Sequence, residues 1–128
     1  MFPERSERVL QTSASLGRVL TEISWNALAA TSHEKSTASS YAKEAEVLLR
    51  AVSKHRKAMA DKDSWRTYDL QGRLGDAIAV GALVELDLPD GVRRSKLAEA
   101  EQLLLRGHDG LRKAATVDKE YVRELFIG

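Results

Sequence analysis

Apolar residues recur every three or four positions along four stretches of this chain, which is the period of an α-helix. The stretches cover about residues 4–30, 38–60, 64–86 and 96–115. Pro is scarce, with two residues in 128, so little interrupts these patterns. The sequence therefore predicts an all-α chain of long helices.

The segments between the predicted helices are polar and aperiodic. Residues 31–40 are rich in Ser and Thr, and we expect a loop there, with Ser36 or Thr37 capping the second helix. Residues 61–64 predict a short corner. The strongest turn signal is the run Asp87–Gly91, which contains Pro89, and Ser95 is the predicted N-cap of the fourth helix.

A fifth helical pattern begins at Thr116, the predicted cap, and ends at the last residue, Gly128. Its apolar face consists of Tyr121, Val122, Leu125 and Phe126. Because this pattern is short and apolar, we interpret it as the first half of an incomplete helical hairpin.

Two segments of the chain are related to each other. Leu74-Gly75 follows Leu16-Gly17 by 58 positions, and residues 99–104 (EAEQLL) follow residues 44–49 (EAEVLL) by 55. We expect the three-residue difference to lie in the loops. Removing a loop insertion of about a dozen residues from each unit would leave a repeat on the order of 34 to 45 residues. Because Gly17 costs a helix about 1 kcal/mol relative to Ala, we expect another helix to pack closely against it.

These residues resemble the tetratricopeptide repeat, in which a Leu-Gly pair in one helix precedes a small and a large packing residue in the next. The stretches 43–50, 63–68 and 98–111 are also similar to repeats in the C-terminal extensions of bacterial serine/threonine protein kinases. The resemblance covers about Leu10 to Phe126. It implies helix hairpins packed through Leu16, Gly17, Ala45, Leu49, Val52, Trp65, Leu74, Gly75, Ala100, Leu104 and Gly107.

The chain also departs from this family. Ser13 stands where an aromatic residue is usual, no proline closes the first unit near Ala60, and the predicted loops are longer than the tight family turn. No kinase motif is present. We expect one helical repeat domain over residues 1–128, with unit one at about 5–60, unit two at about 63–115 and a partial unit at 117–128.

Composition excludes several classes of function. The formal net charge is +1, with twenty basic residues against nineteen acidic ones, which argues against nucleic acid as a partner. Cysteine is absent, so no disulfide or thiolate metal site is expected. No apolar run approaches the roughly 18 residues of a membrane span, and the N-terminus lacks the pattern of a signal peptide. The expected location is the cytoplasm.

No motif predicts catalysis, a cofactor or a metal. The three histidines lie far apart in sequence. Glu44 and Glu46, like Glu99 and Glu101, are two positions apart and point to different helix faces, so we expect solvated carboxylates. The basic clusters at 54–57 and 93–96 are expected to be solvated or to complement helix dipoles. We therefore expect no enzyme.

The resemblance implies an inner groove, formed by the first helix of each unit, that binds an extended peptide or a partner helix. Its candidate residues are Arg18, Thr21, Trp25, Arg73, Asp76 and Val80. The sequence-based hypothesis is a non-catalytic protein-protein interaction scaffold. One alternative is a shortened C-terminal regulatory segment related to a bacterial serine/threonine protein kinase. Another is a structural helical bundle that self-associates, for example through its C-terminal helix.

Overall fold

A computed structural model describes residues 3–27, 32–57 and 65–117. Four α-helices fill these ranges, and no strand occurs within them: α1 is Pro3–Asn26, α2 is Ser32–Lys57, α3 is Trp65–Val84 and α4 is Asp90–Val117. The prediction of an all-α fold is confirmed. The predicted fifth helix, beyond Val117, lies outside the described residues.

The predicted loop over residues 31–40 is wrong, because α2 already begins at Ser32. The proposed caps Ser36 and Thr37 are therefore inside the helix. The physical reason lies in the packing of Ala38 and Ala42, which are 1% exposed and belong to a core cluster with residues of α3. A polar stretch whose composition is typical of a loop becomes helical when packing of alanines in and just after it stabilises the helix.

The start of α4 also differs from the prediction, since the helix begins at Asp90 and Ser95 is not its cap. The carbonyl of Pro89 accepts the first helical hydrogen bond, from the backbone N–H of Arg93 at 2.9 Å. Asp90, in the first turn, carries the charge that the helix dipole favours there. At its other end α4 continues through Val117, so Thr116 does not cap a new helix.

The connections within the two hairpins have the same length. Five positions separate α1 from α2, and five separate α3 from α4. The three-residue difference between the units instead lies inside the second helices: α2 starts thirteen positions before Ala45, and α4 starts ten positions before Ala100. The expected loop insertion is therefore wrong, and the length of each unit comes from long helices.

Each helix packs on its neighbour in sequence, and α1 also packs on α3. Within the described ranges α1 and α4 make no comparable contact. The main core cluster draws on all four helices: Leu10, Leu20, Ala45, Leu49, Val52, Leu70, Leu74, Ala77, Ile78 and Ala100. A second cluster, near the α1–α2 connection, consists of Ala38, Ala42, Val80 and Val84, with Trp25 and Ala27 packed against it. The core thus runs from one hairpin into the other.

Glycines mark the closest helix contacts. A β-carbon added to Gly17 would lie 2.7 Å from Cγ of Leu49, so the close approach expected at Gly17 is present. In the second hairpin, a β-carbon on Gly75 would lie 2.9 Å from the Ala100 carbonyl oxygen and 3.0 Å from Cγ of Leu104. The two hairpins therefore share one type of contact, a glycine of the first helix against the second.

Two residues predicted to pack between helices are partly exposed, although Leu104 still contacts Gly75. Leu16 is 47% exposed and Leu104 is 40% exposed, whereas Val52 is buried and Trp65 is half-buried. Leu16 points away from the helices that cover its neighbour Gly17. The expectation that Leu16 packs inside the repeat is therefore corrected.

Candidate functional site

A surface cleft lies between α1, α2 and α3. This cleft, here called the α1–α3 cleft, has a volume of about 290 Å³. The helices that form it bring together side chains that are far apart in sequence. Its lining consists of Leu10, Gln11, Ala14, Ser15, Val52, Arg56, Trp65, Arg66, Asp69, Leu70 and Arg73.

Arginines dominate the charge of this cleft. Arg56 is only 3% exposed, and the guanidinium of Arg66 stacks over the ring of Trp65 at 4.8 Å from its centroid. Arg73 is bound to Asp69, with 3.0 Å between Nε and Oδ2. The described lining of the cleft therefore brings three arginines together beside an aromatic ring, and one of them is paired with Asp69.

A hydrogen bond joins α1 to α3 a few turns from the cleft. The indole Nε1–H of Trp25 donates to Oδ1 of Asp76 at 2.9 Å, in a partly buried position. An indole N–H that is withdrawn from water needs such a partner. This bond holds the two first helices side by side, which keeps their polar faces next to each other.

The predicted groove residues have different positions in the structure. Arg73 lines the α1–α3 cleft, and Arg18 is exposed on α1. Thr21 and Val80 are 2% and 0% exposed, so neither can line an open groove, and the prediction is wrong for both. The hydroxyl of Thr21 donates to the carbonyl of Gly17 inside its own helix at 2.8 Å.

Sequence reasoning missed Arg56, Arg66 and Asp69 as cleft residues. The four-residue spacing of Asp69 and Arg73 is a visible signal for an ion pair on one helix face. Arg56 gave a misleading signal, because a basic residue in the last turn of a helix is expected to be solvated. In the structure it lies in a cleft lined by residues of α1 and α3.

A second cleft lies between α2, α3 and α4 and has a volume of about 410 Å³. At its edge Arg50 binds Glu99 with two hydrogen bonds, of 3.0 Å and 2.9 Å. The same guanidinium binds Glu46 at 2.9 Å, and Lys96 approaches Glu46 at 3.4 Å. The expectation that Glu46 and Glu99 are merely solvated is wrong, since both join α2 to α4.

The pKa values of Glu99 and Arg50 shift in the directions that ion pairing predicts. The hydrogen bonds from Arg50 hold the pKa of Glu99 below its ordinary value. Glu99 and then Glu46 in turn raise the pKa of Arg50, against the opposing effect of partial burial. These groups therefore remain charged at neutral pH and act as an interhelical link.

The basic clusters predicted from sequence do not form one basic face. Arg93 donates to the carbonyls of Glu85 and Leu88 at 2.9 and 3.3 Å, and so caps the C-terminal end of α3. Lys96 is engaged with Glu46. Arg56 is buried, as described above. A solvated position is therefore wrong for Arg56, whereas Arg93 at the end of α3 fits the alternative of complementing a helix dipole. Arg94 is the exposed arginine of the second cluster.

Three observations bear on other functions. Within residues 3–27, 32–57 and 65–117, no three His, Cys, Asp or Glu residues are grouped as a metal site requires. His55 and His108 are exposed on their helices. None of the described helices is both long enough and apolar enough to cross a bilayer.

Comparison of the chain with protein-family models, with curated proteins and with solved structures finds no match.

Proposed function

We propose that this chain is a non-catalytic protein-interaction module, built as a short tetratricopeptide-like stack, whose α1–α3 cleft binds an acidic peptide segment. The observation that carries the proposal is the lining of the cleft, which brings the guanidinium groups of Arg56, Arg66 and Arg73 together beside the ring of Trp65. Arginine is the side chain best suited to hold carboxylates with two parallel hydrogen bonds.

The order of helix contacts supports the stacked arrangement. A closed four-helix bundle surrounds one core, so that its first and last helices become neighbours. Here α1 and α3 pack together while α4 packs mainly on α3. A stack of hairpins has this order, because each unit covers the one before it. The glycine contacts at Gly17 and Gly75, which occupy matching places in the two hairpins, also support it.

The polar surface of the first helices supports a peptide as the ligand. Gln11 and Ser15 of α1 line the cleft together with Asp69 and Arg73 of α3. Such side chains can bond both the backbone and the acidic side chains of an extended chain. A cleft of about 290 Å³ is at the small end of the size range of ligand pockets, and we therefore expect it to hold one or two acidic residues of the peptide.

The proposal is tested by titrating the full chain with a peptide rich in Glu and Asp and following tryptophan fluorescence, since Trp65 lines the cleft. The Arg73→Gln variant is expected to bind about tenfold more weakly, because a hydrogen bond to a charged group contributes about 1.5–3 kcal/mol. The matched control is Arg94→Gln, at an exposed position on α4, which should bind as the unaltered chain does.

Varying the salt concentration and the charge of the peptide tests whether binding is electrostatic. Binding should weaken as the salt concentration rises, because salt screens partly exposed charges. A peptide of the same length rich in Lys and Arg should not bind. Equal binding of both peptides, or an equal loss in Arg73→Gln and Arg94→Gln, would show that the cleft does not recognise acidic residues.

A further inference from the structure

Asp69 and Arg73 form an ion pair inside the α1–α3 cleft. Both side chains belong to its lining, and 3.0 Å separates Nε of Arg73 from Oδ2 of Asp69. The two residues are four positions apart on α3, which is the spacing at which side chains on one helix face meet. The side chains of Arg73 and Asp69 are 26% and 34% exposed, so a ligand that enters the cleft can reach the pair.

The carboxylate of Asp69 is the same chemical group that an acidic peptide would bring to the cleft. A guanidinium group offers five N–H donors in one plane, and a carboxylate binds best along an edge of that plane. Asp69 engages the edge of Arg73 that contains Nε. In the chain without a peptide, Arg73 therefore already holds a carboxylate.

We propose that Asp69 is an internal competitor of the acidic peptide and limits the affinity of the α1–α3 cleft for it. This inference rests on the proposed function and assigns a further role within the same site. A peptide carboxylate that reaches Arg73 either displaces Asp69 from Nε or binds the other edge of the guanidinium beside it. In both arrangements the peptide carboxylate lies close to the negative charge of Asp69.

Two effects of Asp69 on peptide binding oppose each other. By holding the guanidinium of Arg73 in place, Asp69 reduces the side-chain entropy that is lost on binding. A partly exposed pair of this spacing is weak, however, so it restricts Arg73 only slightly. Repulsion between two carboxylates on one guanidinium acts over a few ångströms, where a partly desolvated cleft screens it less than bulk water does. Repulsion is therefore the larger effect, and Asp69 lowers the affinity.

The competition also determines what kind of acidic segment the cleft retains. Asp69 keeps the half-buried guanidinium of Arg73 paired when no peptide is bound, which avoids an uncompensated charge in the cleft. A peptide carboxylate that replaces Asp69 only exchanges one ion pair for another. The net gain must come from contacts with other groups of the lining, so a segment with several acidic residues is retained and an isolated Asp or Glu is not.

The test is to titrate the full chain and its Asp69→Asn variant with the peptide rich in Glu and Asp, following tryptophan fluorescence. Asparagine has the shape of aspartate and still offers an oxygen to Nε of Arg73, so the substitution removes mainly the charge. Asp69→Asn should bind the peptide about fivefold more tightly, which corresponds to about 1 kcal/mol. Glu101→Gln is the matched control, because it removes one negative charge at an exposed position on α4, outside the cleft lining, and should leave the affinity unchanged.

A second pair of variants shows whether Asp69 acts through Arg73. In an Arg73→Gln background, Asp69→Asn should change the affinity by less than twofold, because the group for which two carboxylates compete is absent. The gain of Asp69→Asn in the unaltered background should also shrink as the salt concentration rises. Thermal unfolding of each variant, together with Asp69→Ala as a second substitution that removes the charge, shows that the changes in affinity do not come from a loss of folded chain.

The outcomes separate this proposal from the proposed function. If the unaltered chain binds the acidic peptide and Asp69→Asn binds it equally or more weakly, Asp69 does not compete, although the cleft is an acidic-peptide site. An equal gain in Asp69→Asn and Glu101→Gln, or the same gain with and without Arg73, would also overturn the proposal, since Asp69 would then act only through the net charge. If neither the unaltered chain nor Asp69→Asn binds the peptide, both proposals are wrong.

Discussion

Gly17 of α1 lies directly against Leu49 of α2, and a β-carbon on the glycine would be 2.7 Å from Cγ of the leucine. Leu49 is completely buried, so its branch point has little room to withdraw. In the second hairpin Gly75 has the same relationship to Leu104, at 3.0 Å. One local contact therefore sets the separation of the two helices in both hairpins.

Replacing this glycine by alanine is expected to destabilise the chain. Alanine favours a helix over glycine by about 1 kcal/mol, but overpacking a filled core costs about 1–3 kcal/mol. Because the contact at Gly17 involves a buried carbon, the second effect should dominate. Urea unfolding followed by circular dichroism should show a lower midpoint for Gly17→Ala.

Gly72→Ala is the control for this prediction. Gly72 lies inside α3, and a β-carbon there would have no heavy atom within 4 Å. Only the helix propensity then changes, and the variant should gain up to about 1 kcal/mol. If Gly17→Ala and Gly72→Ala stabilise the chain equally, α1 and α2 are not in close contact at Gly17.

The sequence predicted those features that depend on helical period and on glycine. Four helices follow from apolar residues three and four positions apart, and the cost of Gly17 in a helix predicts the close contact beside it. The helical structure of residues 32–40 was not predicted, because their composition is typical of a loop. Their helical state depends on Ala38 and Ala42 being buried by α3, and a contact so distant in sequence has no local signal.

The candidate site was only partly predictable for the same reason. Arg73 was identified because the first helices of neighbouring units were expected to lie side by side, whereas Trp25 and Asp76 bind each other and do not line the cleft. Thr21 and Val80 were misassigned, because a helical wheel gives the angle between residues but not which side of the helix is covered. Leu16 shows this directly, because it and its counterpart Leu74 occupy matching positions in the two hairpins, yet they are 47% and 5% exposed.

Loss of the bond between Trp25 and Asp76 should weaken the contact of α1 with α3. Trp25→Phe removes the indole donor that binds Asp76 at 2.9 Å, and Asp76→Ala removes the acceptor. A hydrogen bond to a charged group contributes about 1.5–3 kcal/mol when buried, and partial exposure should reduce this to about 1 kcal/mol.

A double-mutant cycle isolates this bond from the packing of the indole ring. The unfolding free energies of the unaltered chain, the two single variants and the double variant give a coupling energy. We expect the double variant to be less destabilised than the two single variants would give by addition. A coupling energy of zero would mean that the two side chains do not interact in solution.

The link between Arg50 and Glu99 should make stability depend on pH in a defined direction. Arg50 lowers the pKa of Glu99 in the folded chain, so the folded state binds a proton there less readily than the unfolded state does. Ionised Glu99 therefore stabilises the fold above its unfolded pKa, and this stabilisation is lost as the pH falls through its folded pKa. Both side chains are more than two-fifths exposed, which limits the contribution to about 1 kcal/mol or less.

The measurement is the unfolding free energy of Glu99→Gln relative to the unaltered chain at several pH values. At neutral pH and low salt the variant should be less stable by up to about 1 kcal/mol. The difference should disappear in strong acid, where Glu99 is protonated in both states, and should shrink in high salt. Glu101→Gln, at an exposed position two residues along α4, should show no such dependence. A deficit in Glu99→Gln that persists in strong acid would mean that the variant loses packing rather than the ion pair with Arg50.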